Sequence, residues 1–397
     1  MSGDPCTLVI GGGPAGLAVA ACLQQAGLRP FVLEKGPAVG TSWRSHYRRL
    51  HLHTVKELSA LPGLAFPAEA PRYVPRAQVV DYLETYARHF ALPVQTGCEV
   101  MSVARAAAGA EGVEHVEGAE RAQGWEVCAR VANGGPELRR WQVKRVVLAS
   151  GANAHPRRPV LPGEEVFGGQ VLHSRSYTDA RAFAGQRVLV VGMGNTGAEI
   201  ALDLCEQGVA VGLSVRSPVN IVHREFLGRP SQRSSLLLAR LPQRWGDAVA
   251  GWLRDLSVGD LSAYGLRTPV GSPLAQLREE GRTPVIDVGT VAQIRAGRIA
   301  VYPGIDQLES GGVRFVDGRQ ASFDTILLAT GYGAGLQALF PTLKLPLDAR
   351  GLPSSAIGTG DLAGLYFVGF DLRQPGGLLR TIAQQAQAVA RHVAQAG

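Results

Sequence analysis

The stretch Thr7-Leu8-Val9-Ile10-Gly11-Gly12-Gly13-Pro14-Ala15-Gly16 decides the fold. Four apolar, strand-favouring residues run into a glycine-rich turn. A helical apolar pattern, Leu17 to Leu23, begins directly after it and ends near Gly27. A second apolar run, Phe31-Val32-Leu33, then delivers Glu34. Strand, turn, helix and strand in that order make a βαβ unit. In such a turn the first glycine makes the bend and the second lets backbone approach a pyrophosphate. The third lets helix and strand pack closely, while the helix N-terminus favours the phosphate charge. An acid at the end of the second strand suits a bare ribose hydroxyl.

The plan returns farther along. Val188-Leu189-Val190-Val191 leads into Gly192-Met193-Gly194-Asn195-Thr196-Gly197, a helical run from Ala198 to Leu204, Gly208, and a strand ending at Val215-Arg216. Here the discriminating position holds an arginine, which suits a 2′-phosphate. One chain thus reads as built for two dinucleotides of different kinds, which points to electron transfer from a phosphorylated nicotinamide at the second site to another cofactor at the first. The expected fold is α/β, with two Rossmann-like dinucleotide-binding domains and the second inserted into the first.

The rest of the chain fits around these units. Glu99–Val103, Trp125–Val131 and Trp141–Ala149 read as β-runs of a small β-meander, with an Ala/Gly/Glu-rich spacer over 104–124 as a long, mobile hairpin connection. Leu148-Ala149-Ser150-Gly151 and Leu328-Ala329-Thr330-Gly331 read as the points where the chain leaves one unit for the other. The expected division is 1–160 and 322–397 for the FAD-binding domain and 161–321 for the NADPH-binding domain, with a helical insertion over about 225–275. Within that insertion Trp245, Val249, Trp252 and Leu256 share a helical face, expected to pack inside a helical hairpin, with a membrane-facing or substrate-lid role as the alternative. An amphipathic helix is expected over Gln78–Phe90, and a last helix over Leu378–Ala394 follows Gly376-Gly377.

Composition excludes several classes. The chain of 397 residues has a formal charge of +7, but its basic residues are scattered, so a nucleic-acid surface is not expected. No run of apolar residues is long enough to span a bilayer, so no stable membrane insertion is expected. The five cysteines include no CxxC pair, which argues against a disulfide framework, a zinc site or disulfide-reductase chemistry and for a reduced, cytoplasmic setting. No metal site is expected, and a homodimer is compatible with what is seen.

Between the two glycine-rich turns lies Phe167-Gly168-Gly169-Gln170-Val171-Leu172-His173-Ser174-Arg175-Ser176-Tyr177. This fits F-x-G-x-x-x-H-x-x-x-Y and resembles the identifying motif of class B flavin monooxygenases, single-chain FAD enzymes that use NADPH and O₂. The likeness covers nearly the whole chain and is nearest to the plant YUCCA branch of flavin-containing monooxygenases. It is carried by Leu50-His51-Leu52-His53, Pro284-Val285-Ile286-Asp287-Val288-Gly289-Thr290, Ala329-Thr330-Gly331-Tyr332 and Gly364-Leu365-Tyr366-Phe367-Val368-Gly369-Phe370, among others.

The resemblance implies that Gly11, Gly13, Pro14, Ala15, Gly16, Glu34, Lys35, Thr41, Trp43, His53 and Val100 contact FAD. It implies that Gly192, Gly194, Asn195, Thr196, Gly197, Arg216, Ser217, Ala329, Thr330 and Gly331 serve NADPH and the passage between domains. His53 falls where many animal and yeast members carry an Asn facing the flavin edge. Together with Asn195 it is the candidate catalytic residue. Tyr177 stands where Baeyer–Villiger enzymes prefer Trp. The implied chemistry is hydride transfer from NADPH to FAD, a flavin hydroperoxide, and oxygenation of a small substrate at nitrogen, sulfur or the carbonyl of a 2-oxo acid such as indole-3-pyruvate. Such chemistry rests on the cofactors, which agrees with the lack of any recognisable catalytic triad or carboxylate pair. An NADPH oxidase releasing H₂O₂ and a non-catalytic flavin-binding regulator are the rival readings.

Overall fold

The computed structural model describes residues 7–106, 114–115, 124–132 and 137–395. Two parallel five-stranded sheets organise them. The first has the order Leu365–Phe367, Arg145–Leu148, Thr7–Ile10, Pro30–Leu33, Val94–Gln95. The second has the order Gln170–His173, Thr325–Leu328, Arg187–Val191, Ala210–Ser214, Ile299–Tyr302. Thr7–Ile10 and the Val188–Val190 core of the second central strand are buried on both faces, as the near-continuous apolar runs of a covered parallel sheet require.

Each central strand feeds a helix through its glycine-rich turn, Pro14–Gln25 in the first unit and Asn195–Glu206 in the second. The two turns are built alike. Gly11 has φ +113° and Gly192 φ +102°, and a Cβ at either would press on the carbonyl of Ala149 or Ala329. A Cβ on Gly16 would lie 1.8 Å from the Gly11 oxygen, and one on Gly197 1.9 Å from the Gly192 oxygen. Only glycine permits that approach of helix to strand. Ala149–Gly151 and Ala329–Gly331 therefore each lie against the first glycine of their own unit.

The return to the first unit falls later than the sequence suggested. The Thr325–Leu328 strand lies in the second sheet, between Gln170–His173 and Arg187–Val191. The boundary expected at residue 322 moves past Gly331. Phe323-Asp324 therefore precede the last strand of the inserted unit, and Asp324 holds Arg187 at the head of its neighbour. The run Trp141–Ala149 also divides. Glu137–Val143 closes an antiparallel meander with Cys98–Arg105 and Trp125–Val131, and Arg145–Leu148 enters the first parallel sheet. The hairpin connection expected over 104–124 lies mostly outside the described residues.

The helical insertion contains Ser231–Leu238 and Gln243–Val258. Its longer helix turns Gly246, Ala250, Arg254 and Val258 inward. Arg254 is held there by the Asn220 side chain and the Pro269 and Gly271 carbonyls. The face expected to pack faces out instead: Trp245, Trp252 and Leu256 are 63%, 61% and 58% exposed. The satisfied guanidinium occupies the interior that the tryptophans were expected to fill. No helix among the described residues is long and apolar enough to cross a membrane.

The meander meets the first sheet at Trp125, which is fully buried. Its Nε1 donates to the Ala363 carbonyl at 3.1 Å, and the Arg105 guanidinium lies 4.1 Å from its ring centre. Trp125→Ala is expected to lower unfolding free energy by about 3–5 kcal/mol in urea titration. A loss under about 1 kcal/mol would show that the meander is not cemented to the sheet there.

Candidate cofactor and active site

A single cavity of about 850 Å³ runs from the first glycine turn across the gap between the two units to the helical insertion. Gly11, Gly13, Pro14, Ala15, Glu34, Lys35, Thr41, Trp43, His53 and Val100 line it. The sequence reading thus placed nearly all of its FAD set on one surface. Gly16 stands behind that surface as a packing residue. Of the second set, Asn195 lines the cavity.

The turn fits a nucleotide by its own geometry. Gly13 has φ −87°, which any residue adopts, and a Cβ there meets no protein atom within 4 Å. Gly194 is alike, with φ −90° and open space at the same distance. Protein packing does not demand glycine at either position; the close approach of a ligand does. Glu34, 7% exposed, accepts from Gly12 N–H at 2.6 Å and Gly36 N–H at 2.7 Å. Its carboxylate is held rigid by the loop it serves, with lone pairs left for ribose hydroxyls. Arg216 lies just beyond its strand, exposed, and its guanidinium enters no ion pair among the described residues. An exposed guanidinium without a carboxylate partner could pair with a phosphate.

Asn195 is placed differently from a free catalytic amide. Its Oδ1 accepts from Ile286 N–H at 2.7 Å and its Nδ2 donates to the Pro284 carbonyl at 3.2 Å. It clamps the 284–286 strand to the start of the second helix.

The 167–177 motif explains itself on the structure. Phe167 is buried in the second unit's core. A Cβ on Gly169 would fall 2.3 Å from the Asp324 carbonyl. His173 Nδ1 accepts from Arg175 N–H at 3.0 Å, so Nε2 carries the proton toward the Gly331 carbonyl, 3.3 Å away. Burial lowers the His173 pKa, which keeps that neutral arrangement. The Tyr177 hydroxyl donates to Asp203 at 2.6 Å, and its ring stacks on Phe183. Phe167, Gly169, His173 and Tyr177 thus pin the connecting segment to the second unit and to its exit at Gly331.

Sequence reading missed several lining residues. The insertion supplies an apolar wall from Leu238, Ala250 and Leu253, joined by Leu274 and Leu277. Periodicity marked the outer face of the Gln243–Val258 helix and passed over this one. His46, Arg175 and Arg224 add polar groups, and Glu199 stands behind His53. A mid-helix acid between Ala198 and Ile200 was the signal for the last of these.

The comparisons agree with this geometry. The family model described as flavin-binding monooxygenase-like matches residues 6–346. The chain belongs to the flavin-binding monooxygenase family. Similar relatives include rice indole-3-pyruvate monooxygenase YUCCA1, 37% identical over 95% of this chain and 88% of its own length. Another is Arabidopsis thaliana indole-3-pyruvate monooxygenase YUCCA6, 36% identical over 92% and 85%. Among solved structures, the flavin-containing monooxygenase of Stenotrophomonas maltophilia matches with TM-score 0.72 at 22% identity, covering 100% of this chain and 99% of that one. A bacillithiol disulfide reductase from Bacillus cereus matches with TM-score 0.70 at 18% identity over the full length of both. Both likenesses to solved structures are of fold alone. The monooxygenase uses FAD and NADPH.

Two outcomes follow. Arg216→Ala is expected to weaken NADPH binding by about 1–3 kcal/mol while leaving NADH binding unchanged, measured by titrating the oxidised enzyme with each nucleotide. An unaltered preference would remove Arg216 from phosphate recognition. His46, held down to about 4 by burial and by Arg175 and Arg76, stays neutral where a free histidine would charge. The unfolded chain then binds the extra proton between pH 6.5 and about 4. Its stabilising contribution is complete above pH 6.5 and is lost as pH falls toward 4. His46→Gln should flatten that part of the stability–pH curve; an unchanged curve would place the acid sensitivity elsewhere.

Proposed function

We propose that this monooxygenase acts on a small 2-oxo acid with an apolar or aromatic side chain, of which indole-3-pyruvate is the model. The observation that carries this is the two-part character of the cavity beyond the flavin end. Leucines 238, 253, 274 and 277 form an apolar wall, and Arg175 and Arg224 bring positive charge. Arg175 forms no ion pair among the described residues, and Arg224 lies over the Tyr73 ring at 4.2 Å. An apolar wall suits a ring; a guanidinium without a carboxylate partner suits a substrate carboxylate. The relatives named for indole-3-pyruvate support the same substrate class.

The chain's residues divide the work. Glu34 and the Gly11–Gly16 turn hold the FAD ribose and pyrophosphate. The Gly192–Gly197 turn and Arg216 hold NADPH. Bound FAD, reduced by NADPH, supplies the oxygen activation. Gly376, Gly377 and Leu378 line the cavity, and the Leu378–Gln395 helix makes its first i→i−4 bond from Thr381 N–H to the Gly377 carbonyl. The backbone N–H groups of 378–380 are left without helical partners, and they stabilise negative charge gathered at that end of the cavity. The leucine wall keeps water from the reacting centre. The overall reaction consumes 2-oxo acid, NADPH, O₂ and one proton, and yields the carboxylic acid shortened by one carbon, CO₂, NADP⁺ and water. The enzyme works in the cytosol, where NADPH is supplied and its free Cys22, Cys98, Cys128 and Cys205 stay reduced.

The test mixes FAD-loaded enzyme with NADPH in air and a panel of 2-oxo acids, amines and thioethers. The expected result is one CO₂ and one shortened acid per NADPH with an aromatic 2-oxo acid. Oxygenation of amines or thioethers alone would move the substrate class. Stoichiometric H₂O₂ with every compound would make the protein an NADPH oxidase.

A further inference from the structure

The second helix carries a row of acids, two of which reach the first unit. Glu199, Asp203 and Glu206 stand at helical spacing in Asn195–Glu206. Each finds a partner across its surface. Glu206 pairs with Arg49, Asp203 accepts from Tyr177 at 2.6 Å, and Glu199 meets His53, with Oε1 2.7 Å from Nε2. Segment 47–53 of the first unit thus lies along the helix whose N-terminus opens onto the cavity at Asn195.

The Glu199 contact is the one that reaches the cavity. Its side chain is 4% exposed, and a carboxylate that deep is destabilising without a cationic or proton-bearing partner. Several groups face it. Tyr47 lies against the same carboxylate, and burial followed by that carboxylate raises its pKa well above the ordinary value, so the phenol keeps its proton. His46 and Arg49 also sense the Glu199 charge. His53 alone among these both meets Glu199 in an ion pair and lines the cavity. At 2.7 Å two bare lone pairs would repel, and Glu199 Oε1 has no hydrogen-bond partner among the described residues, so a proton on His53 Nε2 is what would ease this contact. The other ring nitrogen, Nδ1, is buried and has no hydrogen-bond partner among the described residues. A buried nitrogen left bare in a native site is free for a ligand.

We propose that Glu199 is a positioning residue. It fixes His53 with its proton on Nε2 and reserves Nδ1 as an acceptor for a proton-bearing group in the cavity, at the place where the two cofactor units meet. Because Glu199 rides on the NADPH unit and His53 on the FAD unit, the arrangement is complete only when the units are in register. The proposal rests on the monooxygenase reading of the cavity and adds a residue to it.

The test reads the ring nitrogens directly. The oxidised, FAD-loaded enzyme is labelled with ¹⁵N-histidine, and the His53 signals are assigned by their loss in His53→Asn. At about pH 9, where ordinary imidazoles are neutral, the wild type should show a protonated Nε2 and a bare Nδ1. A proton on Nδ1 in the wild type overturns the proposal with no variant needed. Glu199→Gln keeps an acceptor oxygen and should preserve that tautomer. Glu199→Leu should give a tautomer mixture and raise H₂O₂ released per NADPH about tenfold, with NADP⁺ binding to the oxidised enzyme changed far less. A folded Glu199→Leu enzyme with the wild-type tautomer and wild-type H₂O₂ yield also overturns it. A wild type that oxygenates nothing would strike the monooxygenase reading and leave the tautomer result standing, so the two failures are distinguishable.

Discussion

The structure depends on one close approach, made twice. In each unit a helix begins so near the preceding strand that the third glycine's hydrogen faces the carbonyl of the first, with room for no Cβ. That approach turns each helix N-terminus toward the cavity, where it favours negative charge. It also fixes the height at which the next strand ends, and so where Glu34 and Arg216 emerge. Everything that distinguishes the two sites is added to the same geometry.

A second constraint joins the copies. His173, with its tautomer set by Arg175 N–H, reaches the Gly331 carbonyl just where the chain leaves the inserted unit. Tyr177 reaches Asp203 on the second helix. Arg48 N–H reaches the Thr178 carbonyl at 2.9 Å. Connection, helix and the 47–53 segment therefore form one buttress, and the cavity lies along it. The motif that identifies the family by sequence performs this joining, and its Arg175 also lines the cavity.

The sequence was most legible where local chemistry dictates geometry. Strands of four apolar residues, glycines before a helix and a discriminator at a strand end were found at their places, because each rule acts over a few residues. It was least legible where two uses compete for one pattern. Val143 and Val146 look like parts of one strand, and the break at Lys144 is visible only once the partners of each half are known. The Phe323–Leu328 run could serve either sheet, and hydrophobicity does not say which. Trp245 and Trp252 looked like core because large aromatics usually are. Arg254 took the interior because carbonyls from distant residues converge on it, and no local pattern reports that. Glu199 was passed over for the same reason: its partner lies in the other unit.

The helix that carries Trp252 on its outside carries Ala250 and Leu253 on the cavity side. The wall that faces the substrate is thus a single helix thick, and it belongs to an insertion outside both parallel sheets. It is joined to the rest of the cavity through Gln232, which accepts from Val55 N–H and donates to the Gly376 carbonyl. One stretch of about fifty residues, 231–280, thus builds a cavity wall that neither parallel sheet needs in order to form, and it can be remodelled while the strands that carry the two glycine turns stay as they are.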